Sequence, residues 1–412
     1  MYWFYILLIA IFLIPSPSIL AQSCPTVVQQ ALSEMGTNCA NMDHNTVCYG
    51  YFGIDATFDE EITDEITFEQ PADRASLTPL RNIISQPLDE ETGIWGLAVM
   101  KTNANIPNTL PGQGVIFIMI GDISITNFVT DEDSTYVPDV FVEVTVRMDE
   151  ASLLSNPPEW GNHRSDVINT VSIGETFNAD AITEDGQWLR IEFISERSET
   201  HNLATAWINI DDITTIDING LAVINSDSRS PLQVFAIESG VVQPLCQEMP
   251  EHQVIIQGPS ALEVDLYSNG LYFRLTSTMS VHILPDCLMT LTPITGGITI
   301  PNADDPDDLE ANIIVRAGQE LRIQLIRNEE TGFCELSEDW YDNYYQIKTD
   351  FDLATESGEN FINAQKVEVL ALLQQIPDNI LNYSLDDNTP IIIQASGVGN
   401  PVPIFDTFNP GE

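Results

Sequence analysis

Along most of this chain apolar and polar residues alternate, and elsewhere the apolar residues gather into short runs closed by glycine or proline. Phe141-Val-Glu-Val-Thr-Val-Arg-Met148 sets Val142, Val144, Val146 and Met148 on one face and Glu143, Thr145 and Arg147 on the other. That period predicts a half-buried antiparallel strand. Gly114-Val-Ile-Phe-Ile-Met-Ile-Gly121 is apolar throughout and predicts a buried strand. Between Val264 and Leu275, Asn269-Gly270 separates two apolar-rich runs, a strong hairpin signal because both turn residues accept positive φ. Ile313 to Leu325 predicts a second strand–turn–strand pair, around Gly318. Two stretches have helical spacing instead. Thr26 to Met35 places Val27, Ala31 and Met35 on one face, with Gly36 as its end, and Ala364 to Ile376 is stopped by Pro377.

Ser155-Asn-Pro-Pro-Glu159 breaks the pattern and predicts a domain boundary. A chain of 412 residues is long for one ordinary core. The expected class is mainly β: several antiparallel domains, with few short helices. An N-terminal β-rich domain is expected over 22–158, a compact β unit over 161–225, a third β region over 232–345, and a short helix with a C-terminal tail over 346–412.

The first residues, Met-Tyr-Trp-Phe-Tyr-Ile-Leu-Leu-Ile-Ala-Ile-Phe-Leu-Ile, form an apolar stretch of signal-peptide length, about 13 residues, short for a bilayer span. They predict export, with residues 1–21 removed after Ala21 and no membrane span in what remains. Gln22 is too bulky, and Leu20 one place too early, for the lipid attachment motif that Cys24 would need. The cysteines are six: Cys24, Cys39, Cys48, Cys246, Cys287 and Cys334. In an exported chain an even count reads as disulfides. Bonds within each trio are favoured, with one link between the trios or one free pair. No Cys-x-x-Cys pair supports zinc.

The charge is lopsided, with 62 acidic residues against 14 Lys plus Arg, a formal net charge of −48. Scarce bases cause most of it; the lysines are Lys101, Lys348 and Lys366. Such a surface repels phosphate backbones and anionic lipid, so nucleic acid is excluded as a partner class. Cations, basic proteins and uncharged or cationic glycans remain. An extracellular or cell-envelope location follows from the predicted signal.

Residues 162–208 carry Asn162-His-Arg164-Ser165, then Ile173-Gly174-Glu175, then Glu184-Asp185-Gly186-Gln187-Trp188, then Ala206-Trp207-Ile208. This order resembles the bacterial Src-homology-3-like domains of secreted and wall-associated proteins, although Asp166-Val167-Ile168 stands where the family has its glycine turn. The resemblance implies a small barrel flanked by β-sandwich-like regions, and binding of cell-wall peptide or glycan or packing against neighbouring domains. It makes Arg164, Trp188 and Trp207 binding candidates. A weaker likeness covers 253–325: Asn269-Gly270, Leu275-Thr-Ser-Thr278 and Ala317-Gly318-Gln319 are similar to FecR-type periplasmic β domains, which relay or scaffold.

Chemistry finds little foothold. His44, His163, His201, His252 and His282 form no zinc-protease spacing, and no Gly-x-Ser-x-Gly elbow, phosphate loop or dinucleotide fingerprint occurs. No catalytic residue and no organic cofactor is expected. Calcium is the best-motivated ion: Asp304, Asp305, Asp307 and Asp308 crowd one loop, and Thr130-Asp-Glu-Asp133 another. Trp340, Tyr341 and Tyr344 lie in the densest aromatic cluster, where rings could stack on sugars. The expectation is a non-catalytic binding or scaffold protein recognising wall material or a surface protein. Its alternatives are a FecR-like relay or architectural protein and a carboxylate-based hydrolase.

Overall fold

The structure is a computed structural model. It describes residues 24–337, apart from 60–66, 105, 107–112, 131, 139, 161–164, 195–202, 215–217, 241–248, 260–262, 302–311 and 318, together with Ile376, Ile380 and Leu381. As the alternation predicts, the fold is mainly β. Among the described residues one α-helix, α1 (Cys24–Asn38), stands beside three eight-stranded sheets and a two-stranded ribbon.

The inner sheet has the order β24 (Leu321–Gln324), β21 (Leu288–Thr295), β20 (Thr278–Ile283), β17 (Gln253–Gln257), β6 (Gly114–Ile120), β5 (Leu97–Asn103), β1 (Thr46–Tyr51), β3 (Arg74–Ser76). The outer sheet has the order β2 (Ile54–Phe58), β4 (Leu80–Ser85), β7 (Ile123–Asn127), β16 (Val234–Ser239), β18 (Val264–Ser268), β19 (Leu271–Leu275), β22 (Gly297–Ile300), β23 (Ile313–Arg316). Their facing sides share one core: Val115, Phe117 and Met119 of β6 meet Ile123, Ile125, Phe235 and Phe273 of the outer sheet. Phe117 and Phe235 touch edge to face, centroids 5.3 Å apart. The other face of the inner sheet is buried as well. Ile116, Ile118 and Ile120 pack under Val27, Val28, Ala31, Leu32 and Met35 of α1, and Ile376, Ile380 and Leu381 join them. This double burial is why β6 reads as an unbroken apolar run.

Two expectations change here. Helix α1 continues through Gly36 to Asn38, because packing over the sheet outweighs the ~1 kcal/mol that glycine costs a helix. The strands of 313–325 exist but do not form a hairpin: β23 pairs with β22 in the outer sheet, and β24 with β21 in the inner one. The intervening turn carries the chain across the sandwich. At 269–270, by contrast, the hairpin forms as expected, with φ of 53° at Asn269 and 85° at Gly270.

The third sheet follows β10 (Val167–Ser172), β9 (Glu150–Leu154), β13 (Leu203–Asn209), β12 (Trp188–Ile194), β11 (Thr176–Thr183), β8 (Val142–Val146), β14 (Ile213–Thr214), with β15 (Ala222–Ile224) parallel to β11. It curls until Ile168 and Val171 of β10 share a core with Val144 and Val146 of β8. Among the described residues no pairing closes it, so the expected barrel is an open, strongly bent sheet. All its strands fall between β7 and β16, which are themselves hydrogen-bonded neighbours. The region is therefore an insertion into the sandwich. Its entering and leaving chains pair as well, Arg229 N–H donating to Asp133 O and Thr135 N–H to Arg229 O, each at 2.8 Å.

The expected serial domains are corrected accordingly. Residues 155–159 lie between paired strands β9 and β10, inside the inserted module. Strands from the expected first and third domains alternate within the same two sheets, β6 against β17 and β7 against β16. Long-range pairing, which periodicity does not encode, decides this.

Candidate functional site

A groove of about 280 Å³ opens where the two sandwich sheets meet at one rim. Its position follows from a chain crossing: β6 ends in the inner sheet, Gly121-Asp122 turns, and β7 begins in the outer sheet. Gly121 has φ of +80°, and a methyl group there would collide with the His252 ring. His252 is 6% exposed, and its Nδ1 accepts the backbone N–H of Asp122 at 2.8 Å. That bond needs an unprotonated Nδ1, so the neutral ring carries its proton on Nε2, which is buried with no partner among the described residues. Burial lowers the His252 pKa, with the Asp122 carboxylate opposing.

The second wall comes from the end of β16. Gly240 N–H donates to Asp122 O at 2.8 Å, and a Cβ on Gly240 would overlap the Asp122 carboxylate. Ser239 Oγ accepts the N–H of Ile283 at 3.1 Å and ties the rim to β20. Register places Ile84, Ser124 and Glu238 in one row across β4, β7 and β16, with Ile84 44% exposed. The ribbon β25 (Ile326–Arg327) with β26 (Cys334–Glu335) adds the last side. Arg327 Nη1 donates to Glu238 Oε1 at 3.2 Å, and Nη2 to Pro285 O at 3.3 Å. The disulfide Cys287–Cys334 and the bond from Asn269 Nδ2 to Cys334 O, 2.8 Å, hold this ribbon in place.

Two carboxylates and one guanidinium thus share the groove, and among the described residues the guanidinium pairs with Glu238 and leaves Asp122 without a partner. Among the described residues no donor reaches the half-buried Asp122 carboxylate, which faces the open groove. The arrangement leaves a fixed acceptor beside an apolar wall of Ile84, Ile283 and Pro285. Among the described residues no group of three or more His, Cys, Asp or Glu could hold a metal ion.

A second polar cluster lies on the β18–β19 hairpin. Tyr267 and Tyr272 stack with centroids 4.8 Å apart, and the Arg274 guanidinium lies 6.0 Å from the Tyr272 centroid. The Tyr272 hydroxyl donates to Asp265 at 2.8 Å. Burial raises the pKa of both Asp265 and Tyr272. One ring face of each tyrosine is taken up by the other ring, and Arg274 lies over Tyr272. This cluster is a cross-strand clamp.

The residues singled out from sequence are not brought together. Trp207 is 1% exposed, its ring edge to face with Trp160 at 4.9 Å, in a cluster with Ile106 and Val137. It is a core residue where the module meets sandwich loops, which overturns its reading as a ligand platform. Trp188 is half-buried against the same cluster. Arg164, Trp340, Tyr341, Tyr344, Asp304, Asp305, Asp307 and Asp308 lie outside the described residues, as do the segments 1–21 and 364–375. In the other acidic loop, Thr130 Oγ1 donates to Asp133 Oδ2 at 3.0 Å and closes a turn. Cys39 pairs with Cys48 and Cys287 with Cys334, one bond within each trio. Cys24 is also disulfide-bonded, and Cys246 lies outside the described residues. No described helix is long and apolar enough to cross a membrane.

Sequence reading missed Asp122, Glu238 and Arg327, which sit in three separate rim segments and carry no motif. Tyr267 and Tyr272 had a usable signal: a two-residue turn at 269–270 fixes them as opposite partners. Comparison with protein-family models, with curated proteins and with solved structures finds no match.

Proposed function

We propose that this chain is an exported, non-catalytic binding or scaffold protein of the cell envelope or extracellular space, docking wall material or another surface protein. The observation that carries the reading is the half-buried Asp122 carboxylate, held in an open groove and met by no donor among the described residues. An acceptor held in place by two glycines and a histidine suits recognition, since among the described residues no donor takes it up. The apolar leader and the disulfide bonds support an oxidising, exported setting. The inserted module gives such a protein a second projecting surface on the same sandwich.

Retention of the full chain on purified peptidoglycan and on surface glycans, together with crosslinking of neighbours in native material, tests the proposal. The expected result is saturable capture by one of these partners. Failure of every arm would remove the binding reading. The relay reading differs in one outcome, crosslinking to a membrane regulator in place of wall material.

A further inference from the structure

We propose that the rim groove receives a basic side chain, arginine or lysine, from a partner protein, with Asp122 as the counter-ion. This rests on the reading of the chain as a binding protein and names the chemistry of its partner. Three properties of the groove select that ligand.

The first is charge. Asp122 and Glu238 face one cation, Arg327, so the groove retains an unmatched negative charge. The chain as a whole carries −48, which draws basic partners in and holds acidic ones off. The second is shape. At about 280 Å³ the groove falls just below the usual size of ligand sites, roughly 300 to 1,000 Å³. That suits one long side chain better than a sugar oligomer. The third is the division of its lining. Ile84, Ile283 and Pro285 offer an apolar wall for a methylene stem, while Asp122 waits at a fixed point for the charged head. A divalent cation would need several oxygen ligands, and no such set converges among the described residues.

The surroundings hold Asp122 in position. Its backbone N–H is held by His252 Nδ1, its carbonyl by Gly240 N–H, and its carboxylate lies where only a glycine at 240 leaves room. A guanidinium could bridge both Asp122 oxygens in a bidentate pair, whereas an ammonium would make single bonds. Arginine should therefore bind more tightly than lysine.

The test uses the full chain, isotope-labelled, titrated at low ionic strength with a blocked short peptide carrying one arginine. The same peptide with citrulline, a neutral isostere, is the control. The arginine peptide should shift the amide signals of Asp122, Ser124, Glu238 and Gly240, and the citrulline peptide should not. Asp122→Asn should weaken binding by at least about tenfold, as loss of a paired charge does. Glu184→Gln, an exposed acid in the inserted module, should leave it unchanged. Gly240→Ala displaces the carboxylate without removing its charge and should repeat the Asp122→Asn loss. Thermal unfolding of each variant checks that it folds. Equal binding of citrulline, equal loss in Glu184→Gln, or shifts scattered over the surface would each overturn the proposal. Absence of arginine binding with retention on wall material overturns the groove and leaves the binding reading standing. Absence of both removes the two together.

Discussion

The sandwich and the module inserted in it are both curved antiparallel β structure, but they are held together differently. The sandwich buries a hydrocarbon core between sheets whose strands come from both halves of the chain. The module is local, every strand lying between residues 142 and 224, and it buries an ion pair. Arg190 and Asp180 are 0% and 2% exposed and share a bidentate bond, Nε to Oδ1 at 2.9 Å and Nη2 to Oδ2 at 2.8 Å. Arg190 lies opposite Trp207 in register, on the face that meets the sandwich loops. A long-range fold is secured by crosslinks where distant segments meet, and a short-range one can carry an internal charge pair.

Asp180→Ala should destabilise the module more than any other single change. It removes the bidentate carboxylate partner of a buried guanidinium, at a cost of about 3–5 kcal/mol. Urea unfolding followed by tryptophan fluorescence should show an early transition for the module while the sandwich holds. Replacing both partners with apolar residues of similar size should restore most of the loss, because the pair is needed for its balance more than for net stability.

Removing the Cys287–Cys334 crosslink comes next and acts on the sandwich. The bond closes a 47-residue separation, for which chain entropy gives a loss of about 2–4 kcal/mol on double replacement by serine. Denaturant unfolding should shift the sandwich midpoint and leave the module's in place. Asn269→Ala should do less, roughly 1–3 kcal/mol. It removes bonds to Ile237 O, Ile237 N and Cys334 O and places alanine at positive φ. The ribbon carrying Arg327 should loosen first, visible as faster amide exchange at Leu336, whose N–H bonds Asn269 O.

Acid separates the two regions more gently. His252 and His282 belong to the sandwich, and burial lowers both pKa values, that of His282 to about 4. The unfolded chain therefore binds more protons than the folded one below about 6.5. Stability is fully present above that pH and is lost as pH falls, toward about 4 for His282. Each histidine adds a slope of at most about 1.4 kcal/mol per pH unit. His282→Gln should flatten the acid limb of the sandwich, measured as midpoint against pH, and leave the module's limb unaltered.

What could be read from the chain follows the same division. The module's β8 was visible in the alternation at 141–148, with Val144 and Val146 buried, Val142 partly so, and Met148 exposed beyond the strand end. In the sandwich, the buried run of β6 and the hairpin at 269–270 were also visible, because both are local signals. The pairing of β6 with β17 and the crossing from β23 to β24 were not, since alternation says which face is buried and never against which strand. Trp207 and Trp188 share a spacing and a strand face, yet one is sealed by Trp160 and the other is half-open, a difference set by loops far away in sequence. The groove was illegible for the same reason. Asp122, Glu238 and Arg327 look like ordinary surface charges until the rim brings them together.

Strands from residues 46–127 and 234–335 form one sandwich, and that union creates the rim. Native-state amide exchange on the full chain, resolved by residue across a denaturant series, tests it most directly. Amides of β6 and β17, and of β7 and β16, should open at a single shared free energy, with those of β8 to β15 opening at their own. Amides of β6 exchanging freely while those of β17 stay protected, or the reverse, would contradict it.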